Sequence, residues 1–165
     1  MIELRVLGTF AVRETANAHG RDLPLAPRQA ALLTYLALAR PRARVTRDRL
    51  LGVFWPELPE DRARAALSQS LYRLRVELGR DIVASAVDTD VELRWDQVQC
   101  DALAFDDALD RARLEPALDL YGGELLAGFH LPGTPEFERW LDGERTRLRQ
   151  RAVQAASTTA PHTRM

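Results

Sequence analysis

The sequence predicts an α+β fold, namely a winged helix-turn-helix followed by an all-α helical region. Three observations lead to this prediction. Short segments of alternating apolar and polar residues open the chain, three segments with helical periodicity follow, and two further alternating segments come directly after them. Strands, three helices and a closing hairpin in this order are typical of a winged helix-turn-helix. After Trp95 the apolar pattern is helical throughout, so we expect no further strand there.

The first part of the chain predicts three strands and a helix. Residues 2–13 alternate about a break at Gly8, which indicates two short strands joined by a tight turn. Residues 23–25 predict a brief third strand, which its central proline confines to a sheet edge or a strand start. Pro27 suits a first helical position, and apolar side chains then recur at helical spacing, so we expect a helix over about 27–39.

Two more helices and a hairpin complete the predicted winged helix. Thr46 can cap a second helix, which Pro56 ends after barely three turns. A third helix is expected over about residues 60–78. The alternating segments 82–87 and 91–95 then predict a hairpin.

The third helix has two chemically different faces. One face carries a leucine-rich ridge, consisting of Ala63, Leu67, Leu71, Leu74 and Leu78. The opposite face, called the outer face below, consists of Arg62, Ala65, Gln69, Tyr72, Arg73 and Val76. A helix can read the major groove only if one side is anchored in a core and the other offers hydrogen-bonding groups, and both conditions are met here. Gln69 and Arg73 project together because they lie four residues apart, and Arg64 can pair with Glu60 or Asp61.

The remaining residues predict three helices and a polar tail. Asp101 can cap the first helix, Pro116 can start a shorter one, and Thr134 can cap the longest, which extends to about Ala156. The acid pair Asp106–Asp107 is interpreted as part of a solvated helix face. We assign residues 1–96 to the winged helix, 97–156 to a helical region and 157–165 to a disordered tail.

Charge is distributed unevenly along the chain, although its formal net value is only −1. All 23 basic residues are arginines, and residues 1–95 carry a net charge of +3 against −4 for residues 96–165. The excess lies between Arg40 and Arg80, where 10 arginines face 5 acids. Such a patch attracts polyanions, but charge alone favours the simpler interpretation of a solvated surface.

The residue types that support most enzyme mechanisms are scattered. His19, His130 and His162 lie in separate segments, and the single cysteine, Cys100, cannot form an internal disulfide or a cysteine metal cluster. There is no phosphate-binding glycine loop and no GxSxG elbow. We therefore expect no enzyme activity and no cofactor or metal. With no apolar run near ~18 residues and no signal pattern, we expect a cytoplasmic, nucleoid-associated protein without a membrane partner.

Three segments resemble the SARP family, the antibiotic-regulatory transcription activators of actinobacteria. Residues 50–79, LLGVFWPELPEDRARAALSQSLYRLRVELG, resemble its DNA-binding domain, a variant of the OmpR-type winged helix. Residues 2–12, IELRVLGTFAV, and 27–38 look like the start of the same domain. Residues 121–147, YGGELLAGFHLPGTPEFERWLDGERTR, resemble the bacterial transcriptional activator domain, which stacks helix pairs of tetratricopeptide (TPR) type. Here that region is shortened, so we expect it either to lean on the winged helix or to be only partly ordered.

The resemblance implies that the third helix enters the major groove of double-stranded promoter DNA. Matched position by position, the residues implied to contact base edges are Ser68, Gln69, Tyr72 and Arg73. The candidates for phosphate contacts are Arg44, Arg47, Arg49, Arg62 and Arg75. RNA polymerase and a second copy bound to direct repeats are the implied further partners.

Simpler interpretations of some of these residues remain open. Tyr72 could pack on the hairpin, and Arg47 and Arg49 are individually as consistent with solvated arginines at a helix start. The hairpin, or wing, carries three acids against one arginine, so phosphate would repel its tip and we include no wing residue among the predicted contacts. These three acids are Asp88, Asp90 and Glu92.

Two functional hypotheses follow. The first is a sequence-specific DNA-binding transcription regulator of the activator type. The alternative is a truncated, non-enzymatic interaction module that dimerises with a full-length regulator or masks it.

Overall fold

Seven strands and six helices make up the part of the chain that the computed structural model describes, residues 1–15, 20–39, 44–84 and 89–160. The strands are β1 Ile2–Arg5, β2 Ala11–Glu14, β3 Arg21–Asp22, β4 Val45–Thr46, β5 Val83–Ala84, β6 Asp90–Leu93 and β7 Val98–Cys100. The helices are α1 Pro27–Leu38, α2 Arg47–Phe54, α3 Glu60–Leu78, α4 Asp101–Asp110, α5 Leu114–Leu120 and α6 Pro135–Thr159. The predicted fold class is confirmed as a mixed α/β arrangement with a helical C-terminal region. No described helix is both long and apolar enough to cross a bilayer.

The strands form two small sheets. In the first, with the order β3-β2-β1-β7, β1 runs antiparallel to β2 and parallel to β7. In the second, β4-β6-β5, both pairings are antiparallel. The predicted hairpin is therefore present as β5 and β6, with Val83 opposite Leu93. Residues 85–88, including Asp88, lie outside the described residues.

Strand β7 corrects the expectation that no strand follows Trp95. Val98 lies opposite Ile2 in the parallel β1–β7 pair, and Cys100 lies opposite Leu4. Val98 and Cys100 are buried while Gln99 between them is exposed, so the alternation exists. It was missed because three residues are too few to establish a period of two.

The third strand also differs from its predicted position. It lies at Arg21–Asp22, paired with β2, rather than at residues 23–25. Leu23 still donates its backbone N–H to the Val12 carbonyl oxygen at 2.8 Å, but Pro24 has no N–H with which to continue the ladder.

Helices α1, α2 and α3 begin and end close to the predicted positions. Helix α1 is buried along almost its whole length, from Gln29 to Leu38. Thr46 caps α2 as predicted, since its hydroxyl oxygen accepts the Arg49 backbone N–H at 3.2 Å.

Helix termini in the C-terminal region differ from the predicted ones. Asp101 is the first residue of α4, and its carboxylate accepts the backbone N–H groups of Val6, Leu7 and Ala102, which ties the helix to the end of β1. Thr134 does not cap α6 with its side chain, because its hydroxyl donates to the Leu131 carbonyl oxygen at 2.7 Å.

The extents of α5 and α6 also depart from expectation. Helix α5 starts at Leu114, two residues before Pro116. Helix α6 continues past Ala156 to Thr159, so the first residues of the predicted disordered tail are helical, and residues 161–165 lie outside the described part.

The C-terminal helices pack against the α/β part of the chain, as in one of the two expected arrangements. An aromatic cluster joins α1, α2 and α6. In this cluster the ring centroids of Tyr35 and Trp140 lie 4.8 Å apart, and those of Phe54 and Phe137 lie 5.2 Å apart. One continuous apolar core therefore includes both regions.

Asp106 is buried rather than solvated, which corrects the interpretation of the Asp106–Asp107 pair. Only 1% of Asp106 is exposed. Arg147 and Arg151 of α6 donate to its carboxylate at 2.7–3.0 Å. Asp107, the next residue, is exposed and pairs with Arg111 one turn later on the same chain segment.

Candidate nucleic-acid interface

Helix α3 is anchored by the ridge that the sequence predicts. All five ridge residues are buried, and Ser70 is buried beside them. The helix begins after Pro59 with Glu60 and Asp61 in its first turn, where acidic groups interact favourably with the helix dipole. The helix ends at Gly79, whose φ is 110°. Glycine adopts this backbone conformation without strain because it has no side chain. Anchoring leaves the opposite side of the helix facing away from the core.

The outer face of α3 is open to solvent. Ser68, Gln69 and Arg73 are exposed, and Tyr72 is 65% exposed. All four predicted base-contact residues are thus accessible. Tyr72 and Arg73 line a shallow groove whose other wall is the β3–α1 connection, Pro24 to Ala26. Tyr72 therefore lies across the groove from the residues that lead into α1.

A second cavity, of about 490 Å³, lies between the start of α2 and the middle of α3. It brings Arg47, Arg64 and Ser68 together, and its other polar lining residues are Thr46, Asp48 and Thr89. The buried Nε atom of Arg47 has no hydrogen-bond partner among the described residues. Arg47 and the positive end of the α2 dipole favour an anion at this cavity, while Asp48 opposes one and Arg64 is already paired with Glu60.

Three of the five predicted phosphate contacts have protein partners. Arg49 lies over the ring of the buried Tyr35, with its guanidinium carbon 5.6 Å from the centroid. Arg75 donates from Nε to the Val83 carbonyl oxygen at 3.1 Å, which holds the first strand of the wing against α3. Arg44 pairs with a wing residue, as described next.

Arg44 reduces the negative charge of the wing. Its Nε atom lies 3.6 Å from a carboxylate oxygen of Glu92, and both side chains are partly exposed. The sequence places these two residues far apart, and their proximity results from the β4–β6 pairing, in which Val45 lies opposite Val91. Arg62, the fifth predicted phosphate contact, is exposed on the outer face.

Arg64 behaves as predicted. Its Nη2 atom lies 2.5 Å from a carboxylate oxygen of Glu60, one helical turn away.

Arg28, on α1, was not predicted from the sequence as a functional residue, although it contacts the end of α2. It donates to the Phe54 carbonyl oxygen and lies over the Trp55 ring, 5.4 Å from its centroid. Burial lowers the pKa of Arg28. These contacts fix the end of α2 and hence the start of α3, but nothing in the local sequence identifies them.

Comparison with known proteins gives similarities to a curated protein and to a solved structure, while no protein-family model matches the chain. The chain is 32% identical over 145 residues to the regulatory protein AfsR of Streptomyces griseus. The aligned part is 80% of this chain but only 14% of AfsR. The fold is similar to that of Mycobacterium tuberculosis EmbR, solved in complex with a low affinity phosphopeptide, with a TM-score of 0.61 at 22% identity. That match covers 93% of this chain and 43% of the EmbR chain, and it shows a shared fold.

Proposed function

We propose that this chain is the sequence-specific DNA-binding part of a transcription regulator and that α3 enters the major groove. The observation that carries the proposal is the division of α3 into a buried leucine ridge and an exposed outer face bearing amide, guanidinium and phenol groups. A groove-reading helix needs this division. The similarity to AfsR, which is itself a regulatory protein, supports the same assignment.

Base recognition is assigned to Ser68, Gln69, Tyr72 and Arg73. Glutamine can form two hydrogen bonds with adenine and arginine can form two with guanine, so Gln69 and Arg73 would contribute most of the discrimination. Ser68 and Tyr72 offer hydroxyl groups that can donate or accept.

Phosphate contacts are assigned to Arg44, Arg47, Arg49, Arg62 and Arg75. Arg47 and Arg62 would contribute most, because Arg47 lies at the start of α2 and Arg62 is exposed on α3. Arg49 and Arg75 already contact Tyr35 and Val83, so part of their role is to position the interface.

The wider biological role extends this proposal. In this role the protein is a nucleoid-associated activator that acts on RNA polymerase, and two copies of it bind to direct repeats in the DNA. The division into a winged helix at about 1–96 and a helical region after it belongs to the proposal as well, with β7 pairing back to β1 and α6 continuing to Thr159. The helix pair α4–α5, joined by a short connection, supports a TPR-like character for the helical region.

Selection of duplexes from a randomised DNA pool tests the function. A DNA-reading protein should enrich a defined sequence and bind it more tightly than a scrambled duplex, with an affinity that falls steeply as salt increases. An interaction module should enrich no sequence and bind all duplexes weakly. That second result would favour a protein that pairs with or masks a larger regulator.

A further inference from the structure

Val76 adds an exposed aliphatic side chain to the polar groups of the outer face of α3. Val76 is 63% exposed, and Tyr72, one helical turn before it, is 65% exposed. The two residues line the same side of a groove of about 410 Å³, opposite Pro24 and Leu25. Two neighbouring side chains of α3 therefore expose apolar atoms to this groove, which Gln29, Arg73 and Glu77 also line.

We propose that Val76 contacts the C5-methyl group of a thymine in the major groove, with the Tyr72 ring beside it. This inference rests on the proposed function, because it requires α3 to lie in the groove. The thymine methyl is the one apolar group that base pairs present in that groove, and proteins recognise it through apolar contacts. Valine suits this contact because its branched side chain has one strongly preferred rotamer in a helix, so its methyl groups are held in place.

The spacing along α3 gives the position of this thymine. Val76 follows Gln69 by two helical turns, which is about 10 Å along the helix axis. Successive base pairs are about 3.4 Å apart along the duplex axis, so the thymine should lie within about three base steps of the base that Gln69 reads. Arg73 lies between the two positions and would read an intervening base.

Replacement of thymine by deoxyuridine isolates the methyl group, because uracil keeps every hydrogen-bonding group of thymine. The selected duplex is prepared with uracil at one thymine at a time, and the dissociation constant is measured for the wild-type chain and for Val76→Ala. At the proposed position we expect the wild type to bind the uracil duplex about fourfold more weakly, which corresponds to one buried methyl group. Val76→Ala should bind the thymine duplex with a similar loss and show little further loss with uracil.

Val153→Ala is the matched control, because Val153 is 60% exposed on α6, away from α3. This variant should keep the full uracil effect. The inference is overturned if no single uracil weakens binding, or if the wild type and Val76→Ala lose the same affinity at each uracil. Failure to select any sequence would instead overturn the proposed function, and this inference with it.

Discussion

Arg147 binds both carboxylate oxygens of the buried Asp106, at 3.0 and 2.9 Å. Arg151 contacts the same carboxylate at 2.7 Å, so two arginines of α6 compensate one acid of α4. Burial by itself would raise the pKa of Asp106, but these hydrogen bonds and charges outweigh burial and hold the pKa below its ordinary value. The same interaction raises the pKa of Arg147. This cluster joins the two long elements of the helical region.

Asp106→Ala should destabilise the fold. It removes the shared acceptor of two partly buried arginines, which then keep only Glu144 and Asp110 as partners, and loss of these charged hydrogen bonds costs about 2 kcal/mol in the free energy of unfolding. Urea unfolding monitored by tryptophan fluorescence measures this change. Asp107→Ala is the control, because Asp107 forms an exposed pair worth under ~1 kcal/mol. Equal effects of the two variants would contradict the role of Asp106.

Stability should also depend on pH in the acid range. Because the folded-state pKa of Asp106 lies below its unfolded value of about 3.9, its contribution is fully present above that pH. It should be lost as the pH falls through the lower folded value. Unfolding free energies between pH 3 and pH 7 test this, and Asp106→Asn should flatten the decrease in the acid range. An unchanged pH profile in that variant would exclude Asp106 as the source.

Two arginines of α3 should separate into different roles. Arg62→Ala should leave stability unchanged, weaken binding to all duplexes alike and reduce the salt slope by about 0.9, since one phosphate contact is lost. Arg75→Ala should lower stability by about 1 kcal/mol as well, because it removes the hydrogen bond to Val83. Thermal unfolding together with duplex titrations in two salt concentrations measures both effects. A stability loss only in Arg62→Ala would reverse the assignment.

Gln69→Ala and Arg73→Ala should each relax the preference for one base pair. Loss of a two-bond contact costs about 1–3 kcal/mol on the preferred duplex and much less on duplexes altered at that position. Titration of each variant against single-position duplex variants gives the comparison. A uniform loss on every duplex would reassign the residue to phosphate.

The sequence predicted local features of this protein well. Helix α3 was located correctly because its leucines repeat at helical spacing, and the Arg64–Glu60 pair was foreseen because its members are one turn apart. The outer face followed from the same periodicity. The exposure of Gln69 and Arg73 could be predicted from the residues of this helix alone.

Features that depend on distant partners could not be predicted in this way. Asp106 looks like a surface acid until α6 brings Arg147 and Arg151 beside it, more than forty residues later in the chain. The contact of Arg44 with Glu92 likewise requires the pairing of β4 with β6. Sequence periodicity reports which side of an element is buried, but it does not report which element covers it.

The salt dependence of duplex binding tests the central claim most directly, namely that the outer face of α3 lies in a DNA groove flanked by arginine–phosphate contacts. With five proposed phosphate contacts, the logarithm of the association constant should fall against the logarithm of salt concentration with a slope of about −4.5 on the selected duplex. Affinity for a scrambled duplex should be at least a thousandfold lower, as is usual for specific complexes. A slope near zero, with equal and weak binding to both duplexes, would contradict the account.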